Sequence, residues 1–464
     1  MQTAVLVVYL CLILAVGIWS GRGIRGLKDY AVAGKSFGML AIFATLSASF
    51  IGGGFSMGNA EKVFLVGISN IVALWGFSLK EVLVARFIAP RMENYPDAIS
   101  VGDIMETHYG PSARLFSGIF GVMLCAGILG AQVGATGYIF NLFFGIDRIW
   151  GIFLGCGIII IYATLGGMRS VVWTDIFQFI VLAVGIPYAL YAGVQHVGGW
   201  DQMVQAIPAE RLSIPTDPAS LIALGSLFLT FVFGETLVPP YLQRLMIGRS
   251  GNAISRGTLL SGLFSVPFFA VTGCLGLVAL AMNPQIDANM SMPYVIQEAL
   301  PPFAQGIVIA AIVSIIMSSA DSFLNAAAIA FTNDIVHPLR KERLSEVGEL
   351  RLARWVTLIV GVLSIVFAIS IDSILDILIY AYTFWAPTVL LPLGAAILGC
   401  QVSKRRFVFG AVAGVLGMVI WGYILNSPAG IDGLIVGLAA NAAAFFAVDR
   451  KAASEAADQV TESA

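Results

Sequence analysis

The segment Gly306 to Phe331 is apolar enough to lie in lipid, yet it carries Ser314, Ser318, Ser319, Asp321 and Ser322. Helical spacing puts Ser314, Ser318 and Ser322 at i, i+4 and i+8, with Asp321 three residues beyond Ser318, so hydroxyl and carboxylate oxygens share one face. Oxygen ligands suit hard cations, and nothing on that face offers the sulfur or imidazole of a transition-metal site. A carboxylate at the centre of a spanning helix costs about 2.5 to 3.5 kcal/mol on insertion scales, so such residues pair, relay protons or line an ion path. The plainer alternative is that the serines bond their own i−4 carbonyls or join two helices.

Two other stretches interrupt the apolar pattern. Phe50-Ile51-Gly52-Gly53-Gly54-Phe55 sets three glycines in mid-segment. Each costs about 1 kcal/mol relative to alanine in a helix interior, so the run favours local unwinding that frees backbone carbonyls and amides. Gly234-Glu235-Thr236-Leu237-Val238-Pro239-Pro240 carries a carboxylate and two prolines deep in a second apolar run, and proline removes an i−4 hydrogen bond. Interrupted segments at matching places in two halves of a chain point to a transport site at the repeat interface; the alternative is that the glycines only let helices pack closely. Asp175, shortly past Arg169, sits near a segment end, where an interfacial ion pair or cap competes with ion binding. Lys80 and Glu81 are adjacent and should point apart on a helix, so each is expected to pair with another helix. Gln132, Glu61, Asp372 and Asp376 are weaker candidates.

The rest of the chain must hold these groups inside a membrane. Of 464 residues, 58% are hydrophobic and 11% charged, against about 25% charged in soluble proteins. This is the composition of an all-α integral membrane protein. Apolar windows of about 20 residues fall near 2–20, 38–58, 66–89, 113–145, 149–165, 170–195, 218–243, 257–282, 303–334, 352–370, 374–399, 406–426 and 431–449, thirteen in all. Short cytoplasmic loops collect Lys and Arg. With thirteen crossings, all of the 25 except Lys62, Lys80, Arg148 and Arg211 fall on one side, which sets the N-terminus outside and the C-terminus in the cytoplasm of a cell (inner) membrane. Met1-Gln2-Thr3 opens into apolar residues with no positive region and no cleavage pattern, so the first helix is expected to be retained.

Windows two to six and seven to eleven each begin with an interrupted segment. Five is odd, so the two sets run in opposite directions through the membrane, a five-plus-five inverted repeat. The expected organisation is an extra N-terminal helix and cytoplasmic loop over 1–37, a first repeat over 38–195 and an extracellular loop over 196–217 with a short helix near Trp200. A second repeat over 218–399, two further helices over 400–449 and a polar, disordered tail over 450–464 complete it.

Other chemistries find little support. Cys11, Cys125, Cys156, Cys274 and Cys400 fall singly in apolar runs, which suggests neither a disulfide framework nor a metal knuckle. No basic patch of the kind nucleic acid requires is present. A hydrolytic enzyme is set aside because Ser318 has no His or Lys on its helix and His108, His196 and His337 lie near loops. The rivals to a sodium-coupled symporter are a proton-coupled transporter, an ion channel and, with less support, a membrane sensor; paired broken helices favour an occluded site over an open pore. The sequence does not set the oligomeric state.

Gly166-Gly167-Met168-Arg169-Ser170-Val171-Val172-Trp173-Thr174-Asp175-Ile176-Phe177-Gln178 resembles the signature of the solute:sodium symporter family, and Met317-Ser318-Ser319-Ala320-Asp321-Ser322 resembles its ion-site helix. Within the family, Ala48-Ser49-Phe50-Ile51-Gly52-Gly53-Gly54-Phe55, Asn59-Ala60-Glu61 and Tyr241-Leu242-Gln243-Arg244 look most like the high-affinity choline transporter branch. The resemblance implies a leucine-transporter-like core and sodium-driven import of a small polar organic solute, amine or amino-acid-like, by alternating access. It implies a main sodium site from the carbonyls of Phe43, Leu46 and Ile315 with the hydroxyls of Ser318 and Ser319, and a second from Asp175, Ser318, Ser322 and Asp321. The solute would sit near Thr45, Ser47, Phe50, Glu235 and Val238. Choline transporters cage their quaternary ammonium in tryptophan-rich aromatic walls. Phe50 and Val238 stand there in this chain, a departure that argues against choline.

Overall fold

A chain this apolar can satisfy its backbone in lipid only by closing hydrogen bonds within helices or a closed barrel. The computed structural model takes the first route, and it describes residues 1–51, 53–340, 344–370 and 384–448. Gly52, Asp372, Asp376 and the tail from Lys451 lie outside the described residues. Those described form no strand, only an isolated bridge between Phe37 and Gly248.

In chain order the helices that frame the site are α1 (Gln2–Ser20), α2 (Leu27–Val32), α3 (Met39–Phe50), α4 (Gly53–Val66), α5 (Ser69–Leu83), α6 (Val101–Tyr109), α7 (Pro111–Phe144) and α8 (Arg148–Val197). They continue as α9 (Trp200–Ala206), α10 (Pro218–Phe233), α11 (Pro239–Met246), α12 (Gly251–Met282), α13 (Ser291–Ala299) and α14 (Pro302–Ile329). Among the described residues six helices are long and apolar enough to cross a membrane, or seven if the bent pair α3 and α4 is one span. The thirteen windows of the sequence divide differently, because α8 holds two of them and α10 and α11 split one between two short pieces.

Helix α8 explains itself by length. Its 50 residues would extend about 75 Å at 1.5 Å per residue, more than twice the roughly 30 Å hydrocarbon core. The turn comes at Gly167, where φ is 49° and ψ is −144°, a conformation reserved for glycine. A Cβ there would also collide with the carbonyl oxygen of Tyr30 in α2, so the glycine serves both the bend and the close approach. Both expected interruptions are present too. Helices α3 and α4 meet at 48° across the glycine run. Between α10 and α11 the chain leaves helical geometry through Leu237, at φ 55°, and Pro239 and Pro240 open the next helix, where their missing N–H groups cost nothing.

Helix α14 is the central post. Of its most apolar window, 94% is buried, and it packs on α1, α3, α7, α8 and α11. With no hydrophobic force between helices in lipid, close packing and hydrogen bonds must hold such a bundle. At its far end a charged knot ties α6 and α7 to the turn that follows: Arg114 meets Asp103 at 3.0 Å and Asp334 at 3.6 Å, and Ser100 donates to Asp334 at 2.5 Å. The loop after α8 folds into α9 and a short turn at Ala209–Leu212, whose Arg211 carbonyl accepts from the Ile68 amide at 2.9 Å.

Replacing Gly167 by alanine is expected to destabilise the bend by about 1 to 3 kcal/mol, seen as a lower melting temperature of the detergent-solubilised protein. An unchanged melting temperature would mean that the bend accepts an L side chain.

Candidate functional site

The polar face of α14 meets three other elements at one point. Asp175, on the second half of α8, accepts from Ser318 at 2.6 Å through one oxygen. Through the other it accepts from Ser49 at 3.2 Å, from Thr45, and from the guanidinium of Arg244 at 3.0 Å. Arg244 comes from α11, just past the second break. It also donates to Thr45 at 3.0 Å, to Ser49 at 2.7 Å, to Ser322 and to the Pro240 carbonyl at 3.1 Å. Neither Asp175 nor Arg244 shows any exposure.

The sequence assigned Arg244 to the positively charged loops; the structure corrects this. It is the buried partner of Asp175, which Arg169 is not. One signal was available: a carboxylate at membrane depth demands a cation, and Arg244 stands one residue past the window that ends at 243.

Of the expected ion ligands, Ser318, Ser319, Ser322 and the Ile315 carbonyl lie around this pair. Ser319 donates to the Ser49 carbonyl at 2.8 Å and to the Ile315 carbonyl at 3.2 Å, so α14 meets α3 through Ser319. The α3 group facing Ser319 is the Ser49 carbonyl, three residues beyond Leu46. Leu46 is buried, while the Phe43 ring packs edge-on against Phe179 and Phe264. Ser49, shared between Asp175, Arg244, Ser318 at 2.9 Å and Ser322 at 3.2 Å, escaped the sequence reading because one more serine among apolar residues carries no distinguishing signal.

Asp321 is held otherwise. One oxygen accepts from Tyr162 at 2.6 Å and the other from Ser322 at 3.0 Å, and among the described residues it has no ion-pair partner. Ser322 also donates to the Ser318 carbonyl at 2.5 Å, the i−4 bond that the plainer reading expects of such serines. Tyr9 on α1 meets Ser314 at 2.5 Å, and Tyr162 and Tyr9 are further contributors the sequence did not single out. The junction thus holds two buried carboxyl groups and one guanidinium, one acidic group more than basic.

The expected solute residues divide. Thr45 faces Asp175 and Arg244, whereas Ser47 turns to Ser261 on α12 at 3.2 Å. Phe50 stacks edge-on against Tyr241 with ring centres 5.1 Å apart, bringing the two breaks together. Glu235 and Val238 are buried in the second break. Lys80 and Glu81, expected to pair separately with other helices, pair with each other at 2.8 Å, and Glu81 also reaches across, accepting from Tyr241 at 3.0 Å.

A family model for the sodium:solute symporter family matches residues 30–417. High-affinity choline transporter 1 of Drosophila melanogaster is 26% identical over 411 residues, 80% of this chain but 62% of that protein, so the match spans less than two thirds of that relative. The high-affinity proline transporter PutP of Bacillus subtilis is 25% identical, with 88% of this chain and 89% of PutP covered. Among solved structures, the substrate-bound outward-open state of a Na+-coupled sialic acid symporter superposes over 96% of both chains, with a TM-score of 0.83 at 21% identity. That likeness establishes a shared fold. The relatives are transporters and not enzymes. With its family model covering most of its length and both helix breaks meeting at a buried ionic junction, this chain belongs to the sodium:solute symporter family.

Proposed function

We propose that the protein is a sodium-coupled symporter that imports a small polar organic solute, amine or amino-acid-like, by alternating access. The observation that carries this reading is a second buried acid: Asp175 pairs with Arg244, while Asp321, equally buried, has no cation partner among the described residues. A monovalent cation bound there would answer Asp321, and hydroxyls and carbonyls are the ligands sodium favours. Ile315, Ser318 and Ser319, with α3 carbonyls contributed by Phe43, Leu46 or Ser49, form the main site; Asp175, Asp321 and Ser322 form the second. Sodium at the first site pins α14 to α3, and the solute binds between the two breaks near Thr45, Ser47, Phe50, Glu235 and Val238. Each sodium ion entering adds about 2.3 kcal/mol of driving force per 100 mV. The distribution of Lys and Arg supports an outside N-terminus and a cytoplasmic C-terminus, in a multi-pass cell-membrane protein.

A proton-coupled rival rests on Asp321, whose partners are all hydroxyls, a setting that accommodates a protonated carboxyl. Purified protein in proteoliposomes decides between them, after a thermal-shift screen of amines, amino acids, carboxylates and sugars with and without sodium has found a solute. Uptake is expected to follow an imposed sodium gradient; uptake driven by a pH gradient in sodium-free buffer would establish the rival.

Ser319→Ala removes one hydroxyl ligand and is expected to raise the sodium concentration for half-maximal uptake about tenfold, roughly 1.4 kcal/mol. Identical sodium dependence in Ser319→Ala and the parent protein would remove this serine from the site. Asp321→Asn keeps an acceptor oxygen for one of Tyr162 and Ser322 and deletes the carboxylate, so sodium stimulation should fall by at least about tenfold while the fold without sodium is retained, read as a cooperative melting transition. Full sodium stimulation in that variant would remove the charge argument.

A further inference from the structure

Lys80 is the most unusual cation in the molecule, 1% exposed on a helix that faces lipid on its other side. Its ammonium lies 3.7 Å from the ring centre of Phe77, 4.3 Å from that of Tyr241 and 5.5 Å from that of Phe50. Three aromatic faces around one ammonium are the arrangement proteins use to recognise a cationic ligand. Here the chain fills that cage with its own side chain. Phe50 ends α3 at the first break and Tyr241 opens onto α11 past the second, so the cage stands in the space the proposed solute must enter.

Among the described residues Glu81 alone answers the charge, 2.8 Å from the ammonium through one oxygen while the other takes the Tyr241 hydroxyl. An ammonium has three donors, and the two not directed at Glu81 have only ring faces to meet. Arg244 adds a second cation, its guanidinium carbon 5.6 Å from the Phe50 ring centre. Separating Phe50 from Tyr241, as opening between the breaks requires, uncovers donors on Lys80 close to a second positive charge. A quaternary or primary amine entering there would compete with Lys80 for the same ring faces and for Glu81. A carboxylate would meet a buried ammonium with unspent donors, the stronger kind of hydrogen bond.

We infer that Lys80 is a specificity-determining residue and that the transported solute carries a carboxylate, as an organic anion or a zwitterion, which Lys80 receives between the two breaks. The inference rests on the proposed symport function and narrows its solute to the carboxylate-bearing class, excluding simple amines. The pair betaine and choline tests it cleanly, since both carry a trimethylammonium and differ in carboxylate against hydroxyl.

The test is a thermal-shift and binding titration of the full-length protein in detergent against propionate and larger monocarboxylates, amino acids, betaine, choline, tetramethylammonium and glucose, each with and without sodium. The stabilising ligands are expected to be carboxylates. Lys80→Gln should weaken the best of them about 10- to 100-fold, as loss of a charged hydrogen bond would, and Lys80→Arg should recover part of it. Because Lys80→Gln leaves Glu81 without its counter-charge, the double variant Lys80→Met with Glu81→Gln supplies a neutral cage that keeps the Tyr241 bond. It should lose the carboxylate and gain affinity for choline or tetramethylammonium. Stabilisation by amines or sugars, or by no carboxylate at all, overturns the inference, as does an unchanged carboxylate affinity in both variants. Failure of the two readings can be told apart. An amine bound more tightly with sodium leaves symport standing and removes the carboxylate; a carboxylate bound identically with and without sodium does the reverse.

Discussion

A guanidinium and a carboxylate 3.0 Å apart, both sealed from solvent, fix how the broken helices around the site meet one another. Removing either member of such a pair leaves a buried charge with nothing to answer it, which is why these pairs constrain geometry more than they add stability. Arg244 reaches Asp175 only if the second break delivers α11 beside α8. Thr45 and Ser49 reach the same two groups only if α3 arrives before its own break, and Ser318 and Ser322 only if α14 stands behind them. One pair therefore registers four elements that the helix breaks would otherwise leave free to slide.

The breaks and the pair depend on each other. An unbroken helix through residues 218 to 246 would bury no stray backbone groups but would also carry Arg244 along a straight path, with no turn at Leu237 to redirect it. Pro239 and Pro240 make the restart firm, since both sit where the helix lacks N–H partners anyway. At the first break the Phe50 ring reaches Tyr241, with 5.1 Å between ring centres. The bend at Gly167 plays the same part for Asp175: it ends one crossing of α8 and begins the next, so that Asp175 enters the membrane at the depth of the α14 serines.

What the sequence reveals follows from what is rare in lipid. Ser318, Ser319, Asp321 and Asp175 stand out because polar atoms in long apolar segments have few innocent explanations, and the glycine run and the proline pair stand out because they break a period. Arg244 does not, since a basic residue at the edge of a window looks the same whether it snorkels to the surface or turns inward. Only its partner distinguishes the two, and the partner is 69 residues away. Lys80 and Glu81 misled for a different reason. The rule that adjacent helical residues diverge concerns their Cβ directions, and a four-carbon stem is long enough to fold back on its neighbour. Ser49 was invisible because its role comes from its backbone carbonyl and a shared hydroxyl, neither of which has a sequence signature.

Coupling between ion and solute has a short physical route in this architecture. Ser49 and Phe50 are consecutive, and the peptide bond between them is rigid. The Ser49 carbonyl accepts from Ser319 at 2.8 Å on the side of the proposed ion site, while the Phe50 ring packs on Tyr241 and lies beside Lys80 on the side of the proposed solute site. A cation that draws the Ser49 carbonyl toward Ser319 must therefore reposition the ring that covers Lys80, and a solute that displaces that ring must pull on the carbonyl. The linkage is reciprocal by thermodynamic necessity, each ligand changing the other's affinity by one common factor.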